Sequence, residues 1–120
     1  MDETRLGAVE TRFADLIWER APIPSGELVK VCQEALGWKK STTYTMLRRL
    51  CQRGLFENRE SVVHTLVTRE EFFARQSQRF VEETFHGSLP AFLAAFTSGK
   101  GLDENEVEEL EKLIEQYRKG

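Results

Sequence analysis

Two cysteines and two histidines are all the soft metal ligands that these 120 residues contain, and their spacing suits no metal. There is no CxxC pair. Cys32 and Cys51 fall on the apolar stripes of expected helices, and His64 and His86 stand far apart without convergent acids, so buried thiols and structural histidines are expected. The acids Glu108, Glu109, Glu111 and Glu115 lack the loop glycine and alternating ligands of a calcium site and read as a solvated helix face. No metal and no cofactor is therefore expected. Catalytic signatures are missing as well: there is no HExxH, no phosphate loop and no nucleophile-base pair, which argues against an enzyme. No apolar run approaches the length of a bilayer span, and the opening MDETRLGAVE lacks the basic-then-apolar order of a secretory signal. A cytoplasmic protein without membrane insertion is expected.

An overall positive charge is lacking too, since the net charge is -3. Its distribution is uneven. Residues 1–68 hold ten Lys or Arg against nine Asp or Glu, residues 69–120 hold seven against eleven, and residues 38–59 hold six against the single acid Glu57. A focused basic strip governs phosphate contact more than the total does. The strip includes residues 38–54, WKKSTTYTMLRRLCQRG. Read as a helix from about Ser41, this segment puts Met46, Leu47, Leu50 and Cys51 on one stripe, with Thr42, Tyr44, Thr45, Arg48, Arg49 and Gln52 opposite. Ser, Thr, Tyr and Arg reach phosphate oxygens and base edges in a major groove, and the first-turn amides of a helix favour anions. Gly54 supplies a helix stop. A DNA recognition helix is the expectation, with Lys39, Lys40, Ser41, Thr42, Tyr44, Thr45, Arg48 and Arg49 as contacts. Tyr44 has a second reading as a half-buried packing residue. Arg53 could pair with Glu57 only if the helix ran past Gly54.

The rest of the chain builds a platform for that helix. Residues 6–19 put Leu6, Val9, Phe13, Leu16, Ile17 and Trp18 at helical spacing, all read as core. Residues 21–24 form a proline-punctuated loop, and a second helix from about Ser25 to Leu36 packs Leu28, Val29, Cys32 and Leu36 before Gly37 ends it. Two helices joined by the turn at 37–40, the second of them basic, make a helix-turn-helix. Residues 55–67 then become rich in β-branched residues and read as a hairpin around a polar turn at 58–61, a wing from which Arg59 could touch phosphate.

Thr68 with Glu71 forms a capping box, with Val67 and Phe72 as staple, for a helix to about Phe85 that presents Phe72, Phe73, Phe80, Val81 and Phe85. Residues 89–96 read as a short apolar helix with Phe92, Leu93 and Phe96, and residues 97–101 as a small-residue loop. Asp103 with Glu106 caps a final helix whose Val107, Leu110, Ile114 and Tyr117 have coiled-coil-like spacing beside Leu113. Two heptads cannot stand alone, so this aromatic-rich half is expected to be buried against a second copy through Phe80, Phe85, Phe92, Val107, Leu110, Ile114 and Tyr117. The fold class is mainly α: a winged helix-turn-helix domain over 1–68 with a small β-hairpin wing, followed by a three-helix dimerisation region over 69–120.

Leu6-Gly7, Glu10, Trp18, then Trp38 with Thr42, Thr45, Met46, Leu47, Arg49, Leu50 and Gly54, and finally Phe85, Gly87, Ser88 and Leu89 before a short apolar helix and an acidic last helix, resemble the BlaI/MecI/CopY family of transcriptional repressors. The resemblance covers nearly the whole chain. It implies a homodimer that binds palindromic operator DNA and controls β-lactam-resistance-like or stress genes, with Ser41, Thr42, Tyr44 and Thr45 reading the operator. It further implies inactivation through a membrane-bound metallopeptidase sensor pathway, with cleavage at the bond corresponding to Ala95-Phe96. Three departures stand out. The copper branch carries paired cysteines near its C-terminus and this chain has none after Cys51, and the resistance repressors carry Asn where Ala95 stands here. The second wing strand reads Leu66-Val67-Thr68 in place of a Tyr-x-Pro-like stretch. The alternative to a repressor is a winged-helix module used for protein-protein contact without DNA readout.

Overall fold

The computed structural model describes residues 5–119. Along the chain run α1 (Ala8–Arg20), β1 (Ile23–Pro24), α2 (Ser25–Leu36), α3 (Lys40–Gln52), β2 (Phe56–Arg59), β3 (Val62–Thr65), α4 (Arg69–Phe85), α5 (Leu89–Gly99) and α6 (Glu104–Gln116). The chain divides into two compact units, one ending at Arg79 and one beginning at Phe80. The architecture is the expected one, helices with a small antiparallel sheet in a winged-helix arrangement.

In the first unit a single core gathers side chains from every element. Phe13, Ala14 and Ile17 enter from α1, Leu28 and Cys32 from α2, Leu47 and Leu50 from α3, and Ile23, Phe56 and Val63 from the strands, with Leu55 and Phe72 closing it. Trp18 lines the edge, its ring 5.4 Å from Phe56 and 6.0 Å from both Phe72 and Phe73. Its indole N–H donates to the Val67 carbonyl at 2.9 Å, so the polar end of a large half-buried ring is satisfied. Gly37 ends α2 in the left-handed region (φ 66°), its amide donating to the Gln33 carbonyl. That is the αL cap which only glycine adopts without a steric penalty, and it turns the chain into α3 within three residues.

The three strands pair antiparallel in the order β1-β3-β2, with Ile23 opposite Val63 and Phe56 opposite Thr65. Strand β1 falls inside the expected proline loop. Two residues are too few to show a period. Burial of Ile23 against the core and pairing of one edge recruit them into the sheet, where Pro24 is tolerated because an edge strand needs no second set of donors. The β2–β3 turn is the residue pair Glu60 and Ser61, with φ of 52° and 62°. A two-residue hairpin turn that matches strand twist requires positive φ at both positions, at a cost of about 1 kcal/mol for each non-glycine residue.

Other differences are local. Val9 is 55% exposed and does not join the core, because only Phe13, Ala14 and Ile17 of α1 face it fully. Helix α5 continues through the expected loop to Gly99, since the Thr97 hydroxyl donates to the Leu93 carbonyl at 2.7 Å and that of Ser98 to the Ala95 carbonyl at 2.8 Å. Both hydroxyls are satisfied inside the helix, which removes their usual pull towards a turn. The capping boxes at Thr68 with Glu71 and Asp103 with Glu106 are both formed.

The second unit has a different balance. Phe80, Phe85 and Phe92 meet edge-on with centroids 5.6 to 6.0 Å apart, yet among the described residues neither α5 nor α6 contains a buried one. An open cavity of about 440 Å³ lies between Phe92, Leu93 and Phe96 on one side and Leu102, Leu110 and Leu113 on the other.

Two side chains in the first unit can be tested directly. Thr43 is 1% exposed and its hydroxyl meets only the sulfur of Cys32, a weak acceptor. Thr43→Val keeps shape and β-branching, so it should raise stability by about 1 kcal/mol, seen as a higher urea midpoint at unchanged m-value. A loss of that size would mean the hydroxyl contact with sulfur is itself stabilising. Burial pushes the Cys32 thiol above its ordinary pKa, against the opposing pull of the Thr43 hydroxyl and the Arg20 charge. The folded protein therefore holds that proton longer than the unfolded chain, and stability falls as pH rises above the ordinary thiol range. Iodoacetamide at pH 8 should label Cys32 only after denaturant is added, as read by mass spectrometry.

Candidate nucleic-acid interface

Three inward residues determine how α3 is rolled. Thr43, Leu47 and Leu50 are its buried side chains, spaced four and three apart, so they define one stripe against α1 and α2. Once that stripe is inside, the 3.6-residue period carries Lys40, Ser41, Thr42, Thr45, Arg48, Arg49 and Gln52 to the outside, and all seven are exposed. Lys39 precedes the helix and is exposed as well. Trp38 anchors this entry, its ring 5.0 Å from that of Phe13. The helix starts one residue earlier than the sequence suggested.

The N-terminus of α3 is uncapped by any side chain, and no acid occupies its first turn. Its leading N–H groups, Ser41, Thr42 and two lysines thus share one exposed end, and helix termini of this kind attract anions. Among the described residues Lys39, Lys40, Arg48 and Arg49 make no ion pair. Two arginines of the unit are committed elsewhere. Arg53 reaches Glu10 at 3.5 Å, with both side chains largely covered, and donates to the Arg5 carbonyl. Arg69 pairs with Asp15 at 2.7 Å and lies over the Phe73 ring. The Arg53 partnership ties the end of α3 to the start of α1. It was not legible in the sequence, where Glu10 lies 43 positions away and only Gly54 hinted that Glu57 would be out of reach.

Tyr44 and Arg59 are placed differently from the rest. Tyr44 is half-buried, and its phenol donates to the Ser25 hydroxyl at 3.1 Å. Arg59 stands at the end of β2, exposed, with Glu57 at 3.7 Å and Glu60 next in the chain, so the wing tip carries no net positive charge. Four cations without an ion pair among the described residues, Lys39, Lys40, Arg48 and Arg49, thus stand together on and just before α3.

The residues expected to carry self-association lie in the second unit. Phe80 is 43% exposed, Ile114 56% and Tyr117 69%, with Val107 beside them at 36%, whereas Phe85, Phe92 and Leu110 are half-buried. Leu113, also on α6, is equally open. Ala95 and Phe96 are exposed in the interior of α5. Among the described residues no group of three or more potential metal ligands converges, and no helix is long and apolar enough to cross a membrane.

Residues 6–116 match the family model described as penicillinase repressor. A curated relative, the penicillinase repressor of Bacillus licheniformis, is 23% identical over 118 residues, covering 95% of this chain and 92% of the relative.

Proposed function

Since the chain belongs to the penicillinase repressor family, a family of transcriptional repressors and not of enzymes, we propose that it binds palindromic operator DNA as a homodimer and represses by occupying the promoter. The observation that carries this reading is the exposed, unpaired cationic face of α3 beside an uncapped helix start. Thr42 and Thr45 read base edges from that face, with Ser41 at its rim. Lys39, Lys40, Arg48 and Arg49 take phosphates, and Tyr44 and Arg59 flank the surface. The acidic second half supplies the partner contact: Phe80, Phe85, Phe92, Val107, Leu110, Ile114 and Tyr117 leave apolar surface that one copy does not cover. Two copies related by a twofold axis present two recognition helices to one duplex.

A cytoplasmic repressor of this kind would answer to a membrane-bound metallopeptidase sensor pathway, with cleavage at Ala95-Phe96. That bond lies inside α5, whose backbone must open locally before a protease can take it in extended form. β-lactam-resistance-like or stress genes would be the targets.

Fluorescence anisotropy on duplexes from the upstream region of its own gene, titrated with salt, tests the proposal against a protein-contact module, which would show no sequence preference. Arg49→Ala should weaken binding to all duplexes alike and reduce the slope of log affinity against log salt by about 1. An unchanged slope would remove Arg49 from the phosphate contacts. Thr45→Ala should instead cost about 1 kcal/mol on the preferred duplex and little on others. Leu110→Asp should yield monomers by light scattering with weak operator affinity, and a variant that stays dimeric would count against the assigned interface.

A further inference from the structure

Ser25 sits where three elements meet. It is the first residue of α2, directly after β1, and it is 5% exposed. Its amide donates to the Ser61 carbonyl in the wing turn at 2.8 Å, and its hydroxyl accepts from the Tyr44 phenol at 3.1 Å. Ser61 and its neighbour Glu60 hold positive φ, so this turn has a defined shape on which a hydrogen bond can act. Tyr44 itself packs against the core cluster, between inward Thr43 and outward Thr45. A hydrogen-bonded path thus runs from α3 through α2 to the tip of the hairpin.

We propose that Tyr44 is a positioning residue of the reading surface: through Ser25 it sets the roll of α3 relative to the β2–β3 wing, and it does not itself read a base. This rests on the repressor reading above. The geometry explains why such a tie is useful. Leu47 and Leu50 hold the later turns of α3, whereas the first turn, which carries Ser41 and Thr42, has no side-chain cap. Tyr44 supplies a lateral tie close to that turn. A roll of about 10° at the roughly 5 Å radius of a helix's side chains moves a reading atom by about 1 Å, enough to spoil a hydrogen bond to a base edge. Long, flexible Lys and Arg contacts to phosphate tolerate the same shift. Loss of the tie should therefore lower discrimination between sequences and leave electrostatic attachment intact.

The test uses the full chain and two probes: a duplex selected from a random library by the unaltered protein, and a scrambled duplex of equal length. Tyr44→Phe and Ser25→Ala should each weaken binding to the selected duplex about threefold to tenfold. Neither should change affinity for the scrambled duplex or the salt slope, and the double variant should be no worse than either single one. A mismatch series provides a second readout if Ser25→Ala lowers the melting temperature. With Tyr44→Phe alone, positioning spreads the loss over every base pair that α3 reads, and direct readout confines it to one. A loss confined to one base pair, a loss from Tyr44→Phe without one from Ser25→Ala in a folded variant, or no loss from either overturns the positioning role. Absence of any selected duplex would instead sink the repressor reading, and this inference with it.

Discussion

Burial of one stripe of α3 is the constraint on which the rest of the structure depends. Thr43, Leu47 and Leu50 go inward against Phe13, Ile17, Leu28 and Cys32. Each leucine so buried contributes about 1.5 to 3 kcal/mol, and turning the helix half a revolution would forfeit that while burying unpaired cations. Only one roll of α3 is therefore accessible. That roll decides that Thr42, Thr45, Arg48 and Arg49 face outward together, which no single one of those residues could bring about.

The treatment of charge follows from the same geometry. Two arginines of the first unit are held by carboxylates: Arg53 by Glu10 and Arg69 by Asp15. The first pair is largely covered and joins the end of α3 to the start of α1, so it orients the helix more than it attracts a ligand. The second is more exposed and contributes little to stability on its own. On α3 the cations have no such partners among the described residues, and solvent ions or an anionic partner would relieve the repulsion among them. A protein with net charge -3 can in this way present a surface of the opposite sign.

The second unit poses the converse problem. Its aromatic rings stack edge to edge, yet α5 and α6 leave large apolar side chains open on a single copy, among them Leu89, Phe96, Leu113 and Ile114. A folded chain that keeps such a surface normally has something to cover it. In the proposed function the same exposure that weakens one copy is what associates two.

Much of this was legible in the linear chain. The pattern of apolar residues marked every helix, Gly37 and Asp103 marked their ends, and the sign reversal over residues 38–59 marked the exposed cationic face of α3. These are local properties, and local backbone preference acts through neighbours a few positions away. The two-residue strand at Ile23, the exposure of Val9, the Arg53 to Glu10 pair and the Tyr44 to Ser25 to Ser61 path were not legible, because each joins or separates positions whose distance is set only when the core closes. The chain by itself determined which residues would form helices and which of them were cationic. Tertiary packing alone decided which way α3 is rolled and what holds it there, since that choice is made by the summed burial of side chains from seven elements and by no segment in isolation.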